Sequence, residues 1–393
     1  MVLDKEIPPD PRVEREANFL ANAGYNVFVF SLDFSGLAKE ELYKNFIIYR
    51  RAISKQFVKK ISALVNTFPV YHWILGKWVT EFIARYEIDI LHMHDLYTIP
   101  IGQYAKQKVG IPLIADLHEN YPAAIKAYEW ANSLLGKLFA RPNRWKKLEG
   151  QYLQSAEKLI VLSEAYKNQL TTKYGFLKDE DVYIYPNVPN TKKLQAFPDY
   201  EVLTEFQGRF ILLYFGIISK RRGIHTCLQA LRQLKNTIPN ILLLLIGPID
   251  KKEQKTFYSI MKEEALREYL KYIPWKDMEY IPSYIRRCDI GLSPLVKNDQ
   301  HNSGIANKVF QYLAFGKPII VSDCIPQKQL VEEESCGIIF QSENVQEFVD
   351  AVENIYRNPK ESGQMGKNGK NAVENKYNVS QYGKVLVDLY ESL

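Results

Sequence analysis

Cysteine is scarce in this 393-residue chain: Cys227, Cys288, Cys324 and Cys336 share no Cys-x-x-Cys spacing. That scarcity argues against a disulfide scaffold or a thiolate zinc cluster, and the apolar segments around each cysteine predict buried thiols. Long apolar runs are missing as well. Even a run such as Ile241–Ile246 is only strand-sized, well short of the ~18 residues that a membrane-spanning helix needs. Met1-Val2-Leu3-Asp4-Lys5 lacks the charged-then-apolar order of a secretory signal, which predicts a cytoplasmic chain. No Gly-x-Gly-x-x-Gly follows a first strand, and this excludes an ordinary nicotinamide dehydrogenase. Zinc-finger spacing and a basic recognition helix are also absent, so no nucleic-acid partner is expected. The chain carries no block of like charge long enough to mark a disordered tail.

What is present is the ordinary material of a globular protein, 46% hydrophobic and 24% charged, with a net charge of +6 that favours an anionic partner. The length exceeds what one core usually serves, so two domains of roughly 180–200 residues with a cleft are predicted. Short apolar runs alternate with helical patterns throughout, which predicts an α/β fold with parallel, doubly wound sheets. Expected strands in the first half are Asn26–Phe30, Phe46–Tyr49, Ile88–Met93, Pro112–Leu117, Lys158–Leu162 and Val182–Tyr185, with a stub at Val2–Leu3. In the second half they are Phe210–Phe215, Ile241–Ile246, Ile290–Pro294 and Pro318–Ser322, with helices near Ile224–Lys235, Lys251–Leu270 and Ile305–Phe315. Asp10 is placed to cap the opening helix, Pro11 suits its first position, and Gly24 follows its last turn. From Pro186 to about Glu205 the periodicity lapses and proline recurs, as in a linker. The expected domains are 1–200 and 201–376, and a terminal helix, 377–393, crosses back to the first.

Ligands of parallel sheets bind beyond the carboxyl ends of strands, and three such places stand out. After Phe215 runs Gly216-Ile217-Ile218-Ser219-Lys220-Arg221-Arg222-Gly223, whose cations and helix start suit a diphosphate; a solvated basic turn has the same composition. After Pro294, Ser303-Gly304-Ile305 opens a helix carrying Gln311, eight residues beyond Ser303, and small residues there let amides approach a phosphate. The third place pairs His92-Met93-His94-Asp95 with Asp116-Leu117-His118-Glu119 at one sheet edge. Their spacing fits no common closed zinc site, so contacts to a sugar or acceptor are favoured over a metal, while a strand-capping role for His92 and His94 stays open. Asp179-Glu180-Asp181 precedes its strand and reads as a solvated turn.

In this order the segments resemble the retaining glycosyltransferases of family 4, of the GT-B fold with two facing Rossmann-like domains. The resemblance rests on Pro8–Glu14, the two histidine strand ends, Tyr185-Pro186-Asn187-Val188, Tyr214 through Gly223, Leu245-Ile246-Gly247 and Asn307–Pro318. It implies that the first domain binds the acceptor and the second the nucleotide sugar. Catalytic roles fall to His118 and Glu119. Diphosphate contacts fall to Lys220, Arg222, Gly304, Ile305 and Lys308, ribose or base contacts to Gly247, Pro248, Pro274, Trp275 and Gln311, and donor-sugar contact to Ser303. Asp10, Arg12 and His94 lie on the acceptor side. The implied reaction needs neither a metal nor a cofactor beyond its donor, a UDP- or GDP-sugar, and moves a hexose or N-acetylhexosamine to a cell-surface glycan or lipid-linked acceptor.

The sequence departs from the family pattern at three positions. Ser303 and Gln311 stand where a pair of glutamates is common, and Ile217 stands where arginine is common, which shifts the phosphate load to Lys220–Arg222. These departures motivate a competing class, a catalytically impaired protein that binds nucleotide or a partner transferase. Few apolar residues precede the first loop, so weak packing is expected at that edge. Arg50, Arg51, Lys55, Lys59 and Lys60, set among Ile53, Phe57 and Val58 and followed by Phe68–Trp73, suggest peripheral contact with anionic lipid at the inner face of the cell membrane. An amphipathic helix on the sheet is the plainer alternative.

Overall fold

The first helix follows its capping chemistry. In the computed structural model, which describes residues 1–63, 69–127 and 142–393, the Asp10 carboxylate accepts from the amides of Arg12 and Val13, both at 3.1 Å, and the helix runs Pro11–Asn22. Its buried face, Val13, Ala17 and Leu20, packs with Leu386 and Leu389 of the terminal helix Val379–Glu391. The two helices approach closely at Gly383, where a Cβ would lie 2.0 Å from the Phe19 ring. By its contacts the chain divides into two compact units, Met1–Pro186 with Tyr382–Leu393, and Asn187–Gln381.

The first unit contains β1 (Phe28–Asp33), β2 (Glu40–Tyr43), β3 (Phe46–Ala52), β4 (Leu91–His94), β5 (Leu113–Asp116), β6 (Lys158–Val161) and β7 (Val182–Ile184). β1 pairs with β3 in parallel, β2 closes that group antiparallel, and β4 to β7 form a parallel run. Val2 joins the two groups, bridging Phe30 on one side and Met93 on the other. The stub is therefore interior, not the weakly packed edge expected from sequence. Met1, Val2 and Leu3 are buried, and their backbone bonds to His92 and Phe30 are 2.8 and 3.0 Å long. Between parallel neighbours on both sides, very little chain is enough to hold the position.

The second unit is a six-stranded parallel sheet of β8 (Phe210–Phe215), β9 (Ile241–Ile246), β10 (Leu270–Ile273), β11 (Ile290–Ser293), β12 (Ile319–Ser322) and β13 (Gly337–Phe340). Its order, β10-β9-β8-β11-β12-β13, is the dinucleotide-fold order, and the winding reverses between β8 and β11. β9 is buried at every position, as befits a strand covered on both faces.

Several sequence expectations need correction. The helix expected over Lys251–Leu270 covers only Gln254–Met261, because Leu270 begins β10 at the sheet edge. The next predicted helix begins at Asn307, so Gly304 and Ile305 precede it in irregular chain. The linker contains a short helix, Thr191–Gln195, capped by Asn190, and Arg286 holds the carbonyls of Gln195 and Phe197. All four cysteines are free and buried. No helix among the described residues is long and apolar enough to cross a membrane. Of the basic segment, Arg50 is buried and bonded to the Ile7 carbonyl and Glu41, whereas Phe57 and Trp73 are exposed. Phe68 lies outside the described residues, and so do the side chains of Lys59 and Lys60.

Candidate functional site

In the first unit, the reversal between the Val2 stub and β4 gathers charge. Helix Pro11–Asn22 delivers Arg12, which is 6% exposed, and β5 delivers Asp116, which is fully buried. The guanidinium donates to both Asp116 oxygens, at 3.0 and 2.6 Å, and to the Tyr185 carbonyl at 2.9 Å. Glu16, one helical turn on, lies 3.0 Å from the same guanidinium. Burial would raise the Asp116 carboxyl, but Arg12 and the His118 ring outweigh it and hold the group well below the usual carboxylate range. Glu16 goes the other way. Burial and the nearby Asp116 charge push it up to about 8, since one guanidinium does not fully compensate two carboxylates.

The histidines complete this network. His118 lies 3.0 Å from Asp116 Oδ2 and 3.1 Å from His94 Nδ1, and its other nitrogen is 3.7 Å from Asp95. Burial opposes its charge, yet Asp95 and Asp116 win and its pKa is raised; His94, more deeply buried, is lowered to about 4. His118 and Asp95 are the open side of the cluster, each side chain 15% exposed, and Asp95 holds a strained φ of 72°. Glu119 is half-buried beside them. Asp10 is occupied as a helix cap and by an ion pair with Lys5 at 2.7 Å. Glu16, His92, His94 and Asp116 bring one donor atom each within 4.8 Å, a grouping from three elements that sequence spacing does not reveal. Both Asp116 oxygens already accept from Arg12.

In the second unit, the reversal between β8 and β11 gathers the predicted donor residues. Gly223 has φ +76° because the basic loop passes against β11's end, where a Cβ would lie 1.5 Å from the Pro294 carbonyl. Lys220–Arg222 form a single tight turn. Lys220 is exposed and its amide donates to the Glu253 carboxylate, while Arg222 is half-buried. Gly247, after β9, lies against this loop, since a Cβ there would meet the Gly216 carbonyl at 2.2 Å. Lys308 reaches the same place from the helix Asn307–Ala314. It is 8% exposed, with Nζ 3.4 Å from the Tyr214 ring centroid and 3.2 Å from where a Gly216 Cβ would sit. Burial and the Arg222 charge drive its pKa well below the ordinary lysine value.

The remaining predicted residues are more scattered. The Ser303 hydroxyl donates to the Gln300 carbonyl at 2.6 Å, within its own loop. Buried Gln311 turns its amide toward the Met278 sulfur at 3.7 Å, which brings the loop after β10 close to the helix. On that loop Pro274 and Trp275 are exposed, Trp275 by 70%, and Pro248 is exposed after β9. Sequence reasoning missed His301. Its Nδ1 is 2.7 Å from the Val296 carbonyl, and its Nε2 is buried without a partner. A lone histidine in a polar loop carries no pattern; only its place after β11 marks it.

Two Rossmann-like units with parallel sheets are the architecture of the GT-B class of glycosyltransferases. The Glycosyltransferase Family 4 model matches residues 12–193, and the Glycosyl transferases group 1 model matches residues 199–372. Together they account for most of the chain, which belongs to this group 1, family 4-like set of GT-B glycosyltransferases. A putative glycosyltransferase of Bacillus subtilis, YtcC, is 21% identical over 331 residues, 80% of this chain and 75% of its own. The UDP-Gal:alpha-D-GlcNAc-diphosphoundecaprenol alpha-1,3-galactosyltransferase of Escherichia coli is 20% identical over 317 residues, covering 79% and 77%. Among solved structures, Anabaena HepE in complex with UDP superposes with a TM-score of 0.73 at 14% identity, over 100% of this chain and 99% of that one.

Proposed function

We propose that this glycosyltransferase moves a hexose or N-acetylhexosamine from a UDP- or GDP-sugar to a cell-surface glycan or lipid-linked acceptor, with retained configuration and without a divalent ion. The observation that carries the reading is the convergence of Arg222 and buried Lys308 on the Gly216 loop at the winding reversal of the second sheet. Cleaving the bond between sugar and diphosphate leaves negative charge on the departing phosphate. Fixed cations and amides stabilise that charge most where water is excluded, each worth about 3 kcal/mol in comparable sites. Lys220, Arg222, Lys308 and the amides of Gly304 and Ile305 fill that role, so no metal is needed for charge compensation. Gly247, Pro248, Pro274, Trp275 and Gln311 serve the base and ribose, and Ser303 the sugar. The first unit takes the acceptor, with His118 and Glu119 as the catalytic pair and Asp10, Arg12 and His94 holding its strand ends. The named acceptor of the Escherichia coli relative and the UDP held by the Anabaena neighbour support these choices of substrate class.

A second reading, nucleotide binding without transfer, is favoured by Ile217, by the in-loop bond of Ser303 and by the turn of Gln311 toward Met278. A thermal-shift panel of UDP- and GDP-sugars tests the donor site common to both. A ligand at a hundred times its dissociation constant is expected to stabilise by about 2.7 kcal/mol. No shift with any nucleotide sugar would remove both readings, and a shift without sugar transfer or hydrolysis would select the second.

A further inference from the structure

Lys308 and His301 are buried bases, and the donor reading above does not require both. Lys308 Nζ faces two aromatic rings, Tyr214 at 3.4 Å and Phe215 at 5.9 Å, and makes no ion pair among the described residues. The Arg222 charge opposes its ammonium form and the Cys227 thiol favours it. His301 is 5% exposed. A carbonyl only accepts, so the contact with Val296 fixes the ring hydrogen on Nδ1; the Asn298 amide lies 3.1 Å from that same atom. In the neutral ring Nε2 is then a bare lone pair, buried and unpartnered. Arg222, Arg221 and Lys308 are among the charges acting on His301, and all three disfavour its protonated form.

Such an arrangement disfavours a proton on either group. Burial lowers both groups, and neighbouring cations lower them further, His301 to about 4. A diphosphate diester would reverse the balance by bringing two negative charges to the loop where the two bases lack acceptors. We propose that Lys308 and His301 receive the diphosphate of the donor together with Arg222, and that each takes a proton from solvent as the diphosphate enters. His301 thereby turns from an acceptor at Nε2 into a donor toward a phosphate oxygen, and Lys308 from an amine into an ammonium. The loop thus holds its full positive charge only when a counter-charge is present, which spares the empty fold the repulsion of clustered cations. This inference rests on the donor reading and adds His301 and a linked proton to it.

Calorimetric titration with UDP-glucose and with GDP-mannose, in Tris and in HEPES at about pH 8, measures the protons bound, because neither diphosphate diester titrates there. Net uptake of about one proton or more per donor bound is expected, with affinity falling up to tenfold per pH unit for each proton linked. In Lys308→Met the uptake should drop and the affinity fall at least tenfold. In Lys308→Arg, which carries a permanent charge, affinity should persist with reduced uptake, so a folding defect in the first variant would not hide the effect. His301→Gln should lose its own share of uptake. Donor binding with no uptake in the wild type, or uptake unchanged in all three variants, overturns the proposal while leaving the donor site intact. No binding of either nucleotide sugar overturns the donor reading and this inference together.

Discussion

Arg12 and Lys308 are each a buried basic side chain near the point where the sheet of its unit reverses winding, and their surroundings could hardly differ more. Arg12 meets Asp116, Glu16 and a carbonyl. Lys308 meets two rings and another cation. A buried charge without a counter-ion is costly, so it persists where something else supplies the compensation. The paired cation holds the first unit together. On the proposed reading the unpaired one receives a ligand, since a perturbed group in a loop cluster without an internal partner points to function more than an internally satisfied network does.

The contrast breaks most visibly if each cation is removed. Arg12→Met leaves Asp116 and Glu16 buried without their partner and is expected to destabilise the fold by about 3–5 kcal/mol, read by urea denaturation. A smaller effect sharpens the account of the first unit. Glu16 has its folded-state pKa raised to about 8, so between the ordinary carboxylate range and about pH 8 the native state holds a proton that the unfolded chain has released. Stability from this group is therefore full at low pH and lost as pH rises through the folded value. The advantage of wild type over Glu16→Gln should shrink across that window by up to about 1.4 kcal/mol per pH unit. A pH-independent difference would mean that Glu16 is ionised throughout. His118, also raised, acts in the same direction, and because its charge bears on Glu16 the comparison reads the two groups together.

What sequence could reveal followed the range of the interaction. β8 and β9 are continuous apolar runs bounded by polar residues, and their limits agree with the structure. The cap at Asp10 is a contact between near neighbours and was equally plain. β2, β10 and β13 were missed: all are short edge strands, β2 partly exposed and the other two mostly half-buried, which leaves little apolar pattern to read. The bond of Arg12 to Asp116 spans 104 residues and has no local signature. Nor does the interior place of Val2, which depends on two neighbours that come later in the chain. In the second unit the basic turn and the Asn307 helix were legible as segments, whereas their meeting at Gly216, the isolation of Lys308 and the bare nitrogen of His301 exist only once the sheet has formed.

The central claim, that the second unit receives a nucleotide diphosphate at the reversal of its sheet, is tested most directly by crystals grown with UDP-glucose or GDP-mannose. The account predicts density for the diphosphate within hydrogen-bonding distance of Arg222, Lys308 Nζ and His301 Nε2, with the amides of Gly304 and Ile305 turned toward it. An empty loop, or a nucleotide bound elsewhere on this unit, would contradict it.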